Sequence, residues 1–137
     1  MTKLEDQLII HEGYRQFPYK CTADRLTIAI GRNLDDVGIT QDEARYLLKN
    51  DIRHARSQCE LAFPWFSGLD PVRQDAIVNM CFNLGISRLR GFKKMLTALK
   101  EKDFHKAAEE ALDSKWAKQV GRRSEDIVHM FITGEYP

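Results

Sequence analysis

Apolar residues recur at helical spacing before Gly13 and then alternate with polar residues between positions 26 and 31. The first pattern predicts a short helix that has an apolar face to bury and that ends at the glycine. The second pattern, Leu-Thr-Ile-Ala-Ile-Gly, is typical of a strand. A turn centred near Asp24 would fold residues 19–31 into an antiparallel hairpin. The apolar positions of the first helix are Leu4, Leu8 and Ile9.

Helical spacing dominates the rest of the chain, and two of the predicted helices have clear start signals. Thr40 and Glu43 have the spacing of a capping box, which predicts the start of a long amphipathic helix. Asp70 followed by Pro71 predicts an N-cap and a proline at the first helical position. The helix that starts there, to about Leu84, is apolar on more than one face, so we expect it to be central and buried.

Shorter segments separate and follow these helices. The aromatic cluster at 63–66 ends the long helix; Trp65 could stack on a sugar ring, but we favour a core plug at this junction. Residues 86–91 are interpreted as a basic link. Asp103 predicts a further helix start, and Trp116 is expected in the core with its ring N–H bound to a polar partner.

The composition is that of one ordinary soluble domain. The chain has 137 residues, of which 43% are hydrophobic and 30% charged, enough for a substantial core. A net charge of +1 argues against a general nucleic-acid binder. No signal peptide is recognised, and no apolar run approaches the roughly 18 residues of a membrane span. We expect a monomer that is made and kept in a cytoplasm, without stable membrane association.

The three cysteines and four histidines show no metal-binding spacing. Cys81 lies in an apolar run and is expected to be a buried small hydrophobe. Cys59 lies near the end of a charged helix and has no predicted role. A disulfide is the less favoured alternative, because cytoplasmic thiols are usually reduced.

Glu12 is unusual for its position at the end of the first predicted helix. The negative end of the helix dipole disfavours an ionised carboxylate there, and partial burial would add to this effect. Both would raise the pKa of Glu12 toward that of a general acid, although position alone favours a solvated surface residue. The predicted hairpin folds Cys21 and Thr27 back toward Glu12. An acid, a small polar or nucleophilic group and a hydroxyl from three segments form a candidate catalytic site.

The spacing of Glu12, Cys21 and Thr27, followed by Thr-Ile-x-Ile-Gly, resembles the phage-type lysozymes, glycoside hydrolase family 24. That family has Glu, then Asp or Cys, then Thr at these positions. The resemblance extends nearly to the end of the chain. It also includes residues 38–44, 69–85, 114–116, 122–123 and 131–134.

The resemblance implies a mostly helical α+β fold in a single lysozyme-like domain, residues 1–137. The fold would begin with a small antiparallel β-lobe at about 14–39, which a bridging helix would join to a helical lobe at about 60–137. The helical lobe would also include the N-terminal helix, and the active cleft would lie between the lobes. The implied activity is that of an endolysin that hydrolyses the β-1,4 bond between N-acetylmuramic acid and N-acetylglucosamine in bacterial peptidoglycan, without cofactor or metal. Release from the host cytoplasm would need a holin.

By position in the family, Glu12 is the general acid, Cys21 handles the nucleophilic water or the cationic transition state, and Thr27 helps to place that water. Arg123 matches the basic partner of the catalytic Glu.

The supporting residues implied are Phe82 against a sugar, Asn83 as an amide near Glu12, and Asn33. Asn83 is one methylene shorter than the Gln of the best-known member, and Arg32 replaces the His of many members.

Cys21 changes the expected chemistry. A neighbouring carboxylate would raise the pKa of the thiol, so we expect a mostly protonated group that polarises or positions a water. Asp24 could supply a second carboxylate if it turned inward, but a turn residue bonded to its own backbone is the favoured interpretation.

Two other functions stay open. Cys21 could be the nucleophile of a wall amidase or peptidase, which would need an oriented His, and only His11 is close in sequence. The chain could also be a non-catalytic module that binds peptidoglycan.

Overall fold

A computed structural model describes all residues, 1–137, which form eight α-helices and one three-stranded antiparallel sheet. The mostly helical α+β class is therefore confirmed. The strands are β1 (Arg15–Lys20), β2 (Leu26–Ala29) and β3 (Arg32–Asn33), in the order β1-β2-β3. The helices are α1 (Lys3–Glu12), α2 (Gln41–Ala62), α3 (Pro71–Leu84), α4 (Ile86–Arg90), α5 (Lys93–Lys100), α6 (Phe104–Leu112), α7 (Lys115–Val120) and α8 (Arg122–Thr133).

The chain divides into two compact units, residues 1–47 and residues 48–137, and α2 continues from the first into the second. The first unit, which we call the sheet unit, contains α1, the sheet and the start of α2. The second, which we call the helical unit, contains the remainder. Three predictions about the domain stay predictions. They are that residues 1–137 form a single domain, that the N-terminal helix belongs to its helical lobe, and that the active cleft lies between the lobes. No helix combines the length and the apolar character needed to cross a bilayer.

In the sheet unit, the predicted turn near Asp24 closes the β1–β2 hairpin. The backbone N–H of Cys21 donates to the carbonyl of Arg25 at 3.0 Å, and that of Asp24 donates to the carbonyl of Cys21 at 2.9 Å. Asp24 has a φ of 58°, the left-handed conformation that Asp tolerates in turns. Across the sheet, Thr27 pairs with Tyr19 on one side and with Asn33 on the other.

Helix α1 forms where predicted, but its apolar face is not buried. Leu4 is 61% exposed, and no residue of the helix is buried. The helix is instead stabilised at its start by a local capping box, in which the N–H of Glu5 donates to the Thr2 hydroxyl at 3.0 Å. The expectation that this face is covered was therefore wrong for this structure.

The start signals of the longer helices are confirmed. Glu43 and Thr40 form a capping box at α2, the Asp70 carboxylate accepts from the N–H at the third position of α3, and Asp103 caps α6 in the same way. Because each cap joins residues only three apart, these starts depend on local sequence. Residues 86–90, predicted as a link, form the short helix α4.

The core lies entirely within the helical unit. Every buried hydrophobic side chain of the chain falls between Ala55 and Phe131. Cys81 is buried as predicted, but Cys59 is also fully buried, because it faces the core from a helix whose other faces are charged. Trp65 is half-buried, stacks on Phe63 with ring centroids 5.2 Å apart and packs against the core, as expected of a core plug.

Candidate active site

Glu12 is the last residue of α1, and its carboxylate rests against the turn between β2 and β3. A Cβ atom built on Gly31 would lie 2.8 Å from Glu12 Oε2, closer than any side chain can stand. Gly31 also has a φ of 71°, which L side chains rarely adopt. The backbone conformation therefore favours a glycine at position 31, and a larger residue there would displace the flexible end of the Glu12 side chain.

The partial burial expected of Glu12 is not present. The side chain is exposed, because α1 buries none of its residues and leaves its last turn in contact with solvent. The structure therefore leaves this carboxyl group in contact with solvent and places its end beside Gly31.

Thr27 is the only buried residue of the sheet unit, with 4% of its surface exposed. Its hydroxyl donates to the carbonyl of Arg25 at 2.8 Å. A threonine hydroxyl has one proton, so its remaining capacity is to accept hydrogen bonds. Thr27 can therefore hold a water molecule by accepting one of its protons.

Cys21 is half-buried at the turn near Asp24, between β1 and β2, and the pKa of its thiol is lowered. The largest cause is a backbone hydrogen bond from Arg25, followed by one from Ala23, while desolvation acts in the opposite direction. The Thr27 hydroxyl also lies within reach, but its proton is committed to the Arg25 carbonyl, so we attribute the lowering to the backbone N–H groups. The expected increase in the pKa was wrong, because N–H donors rather than a carboxylate surround the sulfur.

The other polar residues near the hairpin serve the loops. Asp24 is an exposed turn residue. The side-chain amide of Asn33 donates to Asp36 Oδ2 at 2.9 Å and its oxygen accepts from the Asp36 N–H at 3.0 Å. Asn33 thus orders the loop after β3, and a role toward substrate stays a prediction.

Sequence reasoning noted Arg32 only as a departure from the family and Glu43 only as a cap. In the structure the Arg32 guanidinium binds both oxygens of Glu43, at 2.8 and 2.7 Å. This pair lowers the pKa of Glu43 to about 2, with the N–H of Thr40 as the next cause. No local sequence signal identifies the pair, because the two residues are eleven positions apart.

The helical unit holds the other candidate residues. Phe82 and Arg123 line a groove of about 480 Å³. Asn83 accepts a hydrogen bond from the Trp116 ring N–H at 2.8 Å, which confirms the predicted polar partner of this buried tryptophan. The bond assigns the Asn83 oxygen to Trp116 and leaves its amide N–H groups for another acceptor. Glu12 lies in the other unit, so its pairing with Arg123 and its proximity to Asn83 stay predictions.

Sequence reasoning also missed a cluster in the same groove. Asp75 binds Arg56 at 2.6 Å through one oxygen and accepts from the Tyr136 hydroxyl through the other. The pKa of Tyr136 is raised, chiefly by this bond to Asp75. The segment after α8 is therefore anchored on α3 through Tyr136.

The sheet unit thus holds the Glu12 carboxyl group beside the β2–β3 turn. It holds the Cys21 thiol and the buried Thr27 hydroxyl at the β1–β2 turn. A carboxylic acid can donate a proton, and a cysteine sulfur and a hydroxyl oxygen can accept hydrogen bonds from both O–H groups of a water. These are the parts required for acid-assisted hydrolysis.

Comparison with known proteins gives one family. A family model described as Phage lysozyme matches residues 10–129. Two probable T4-type lysozymes of Dictyostelium discoideum, lysozyme 2 and lysozyme 1, are 29% and 28% identical, each over 98% of this chain and 96% of its own length. The pre-baseplate central spike protein Gp5 of Enterobacteria phage T4 is 30% identical over 80% of this chain but 20% of its own.

Proposed function

The chain belongs to the phage lysozyme family as a lysozyme-type glycoside hydrolase, and from this premise we propose that it hydrolyses the β-1,4 bond between N-acetylmuramic acid and N-acetylglucosamine in peptidoglycan. The main support for the proposal is the position of the Glu12 carboxylate beside Gly31. Gly31 lies in the turn between β2 and β3, and Thr27 belongs to β2 of the same sheet.

In this mechanism Glu12 donates its proton to the glycosidic oxygen as the bond breaks. The Thr27 hydroxyl oxygen and the Cys21 sulfur accept hydrogen bonds from the attacking water and orient its lone pair toward the anomeric carbon. The sulfur takes the one proton that the water loses, and the other stays on the new hydroxyl group of the sugar. The lowered pKa of Cys21 supports this assignment, because a thiolate can both accept a proton and stabilise a developing positive charge. Arg123, Phe82, Asn83 and Asn33 are proposed as supporting residues.

We expect Glu12→Gln to abolish the clearing of peptidoglycan suspensions, because an amide has no acidic proton to donate. Turbidity loss measures the activity, and circular dichroism checks that the fold is intact. Asp6→Asn is the matched control, since it removes another exposed carboxylate from the same helix. Wild-type clearing by Glu12→Gln would contradict the assignment of the acid.

The products separate this activity from the alternatives. A muramidase generates reducing sugar ends, an amidase generates free amines, and a binding module releases no soluble fragments. Mass spectrometry of the released muropeptides adds a second distinction, because hydrolysis adds a water and transglycosylation yields an anhydro sugar.

The role of Cys21 is tested by three substitutions at that position. We expect Cys21→Asp to keep activity, because a carboxylate also accepts a proton, and Cys21→Ala to lose most of it, with Cys21→Ser between them. Equal activity in all three variants would remove Cys21 from the mechanism.

We further propose that the protein acts in phage lysis. It would accumulate as a monomer in the host cytoplasm, without nucleic-acid or membrane partners, and reach the wall after a holin opens the membrane. Expression in a bacterial host with and without a holin, followed by culture density, tests this: lysis that does not depend on the holin would contradict it.

A further inference from the structure

We infer that the Arg32–Glu43 ion pair is a positioning device for the proton donor, because it holds in place the turn on which the Glu12 carboxylate rests. This inference rests on the proposed function of Glu12. It assigns to Arg32 and Glu43 a role in the reaction rather than only in stability.

The turn that contacts Glu12 has little support of its own. Ile30 and Gly31 connect β2 to β3, and β3 is only two residues long. Two residues have φ values in the left-handed region, 61° at Ala29 just before the turn and 71° at Gly31 within it. A conformation of this kind in a non-glycine residue persists only when surrounding contacts impose it. Within the sheet only a short ladder closes this turn, the pairs Thr27–Asn33 and Ile28–Arg32 and the 2.7 Å bond from the Leu34 N–H to the Leu26 carbonyl. An anchor outside the sheet would hold the turn further.

Arg32, the residue directly after Gly31, supplies that anchor. Its guanidinium donates to Glu43 Oε1 at 2.8 Å, to Glu43 Oε2 at 2.7 Å and to the carbonyl of Gly38 at 3.0 Å. A two-pronged bond of this type fixes direction as well as distance, which a lysine ammonium cannot do. The start of β3 is thereby tied to Gly38 and to the first turn of α2.

Glu43 is itself held in place. Its Oε1 accepts from the N–H of Thr40 at 2.8 Å, and its own N–H donates to the Thr40 hydroxyl at 3.2 Å. The first turn of α2 is therefore the base of the device, and the chain of contacts runs from α2 through Glu43 and Arg32 to Gly31 and then to the Glu12 carboxylate.

The exposure of the pair favours positioning over stabilisation. The side chains of Arg32 and Glu43 are 34% and 39% exposed, and ion pairs in that range add little to folding stability. Placement is more sensitive, because a general acid that is displaced by a fraction of an ångström loses much of its effect.

The main test compares kcat and KM in Arg32→Gln, Glu43→Gln and the double variant. Each single change is expected to lower kcat about tenfold at unchanged KM, since it misplaces the acid without touching the sugar contacts. The double variant should be no worse than either single one, because both remove the same anchor. Arg32→Lys, which keeps the charge but loses the fork, should lie between wild type and Arg32→Gln. Additive losses, or an effect confined to KM, would overturn the inference.

Arg73→Gln is the matched control for general destabilisation. Arg73 also binds a carboxylate, Asp70 at 3.1 Å, and a backbone carbonyl, that of Phe131 at 2.8 Å, but within the helical unit. This variant should lower the unfolding temperature at least as much as Arg32→Gln and leave kcat unchanged well below that temperature. An equal loss of kcat in Arg73→Gln would assign the effect to stability and overturn the inference.

A second measurement does not depend on activity. In protein labelled with ¹⁵N-glycine, Arg32→Gln should shift the amide resonance of Gly31 and speed its hydrogen exchange, while Gly134 in the helical unit stays unchanged. An unaltered Gly31 resonance would overturn the inference even if the enzyme is active. If the wild-type protein cleaves no peptidoglycan, the proposed function fails, and this measurement still decides whether the anchor exists.

Discussion

The two units of this protein are built in different ways. The helical unit contains every buried hydrophobic side chain, whereas the only buried residue of the sheet unit is Thr27, whose hydroxyl is a candidate catalytic group. The sheet unit is held by strand pairing, tight turns and the Arg32–Glu43 pair. Hydrophobic burial is the main favourable term in folding. The helical unit therefore supplies most of the stability through burial, while the polar contacts of the sheet unit shape the backbone around Glu12, Cys21 and Thr27.

The cysteines give the largest expected contrast between the units. Burial raises the pKa of Cys59 to about 12 and also raises that of Cys81, whereas the pKa of Cys21 is lowered. Since only the thiolate reacts, Cys21 should be alkylated by iodoacetamide at pH 7.5 more than about a thousandfold faster than Cys59. Peptide mass spectrometry over time measures the three rates. Comparable rates at Cys21 and Cys59 in the folded protein would contradict the contrast.

A core substitution in the helical unit should affect stability and spare the chemistry. Phe131 is fully buried, so Phe131→Ala should lower the free energy of unfolding by about 3–5 kcal/mol through lost burial and a cavity. Urea unfolding followed by circular dichroism measures this change. The kcat of the molecules that remain folded should be unchanged. A large fall in their kcat would contradict the assignment of stability to the helical unit and of the chemistry to the sheet unit.

A glycine substitution in the sheet unit should do the reverse. In Gly31→Ala the new methyl group takes the place of the flexible end of Glu12, so we expect kcat to fall about a hundredfold while the free energy of unfolding falls by about 1–2 kcal/mol. Gly85→Ala is the control, because Gly85 has a φ of 82° and no atom within 4 Å of an added methyl. Similar kcat losses in both variants would point to backbone strain rather than to the displaced acid.

The smallest expected effect is the dependence of stability on the charge of Glu43. Its pKa falls from 4.5 to about 2 on folding, so the folded state gains stability from the ionised form. That gain is present above pH 4.5 and is lost as the pH falls toward 2. The difference in unfolding temperature between wild type and Glu43→Gln should therefore be small and constant above pH 5 and disappear near pH 2. A difference that grows on acidification would contradict the sign of this linkage.

Features that depend on neighbouring residues could be predicted from the sequence. The capping boxes and N-caps at Thr40, Asp70 and Asp103 involve residues three apart, and the turn at Asp24 closes a hairpin between adjacent strands. Each is a short-range contact that a given local sequence forms by itself. The candidate catalytic residues Glu12, Cys21 and Thr27 were also proposed from nearby positions, because their spacing along the chain resembles that of the family.

Only the tertiary structure decided the features that join distant segments. No sequence pattern indicated three of these features: the burial of Cys59, the Arg32–Glu43 anchor and the bond of Tyr136 to Asp75. Two further features were expected otherwise, the exposed face of α1 and the lowered pKa of Cys21. Burial depends on which atoms surround a side chain, and those atoms come from residues far apart in the chain. The lowered pKa of Cys21 has a more local cause, the N–H groups of Arg25 and Ala23, but only the folded turn points them at the sulfur. A sequence pattern shows which face of a helix is apolar, but the fold decides whether anything covers it.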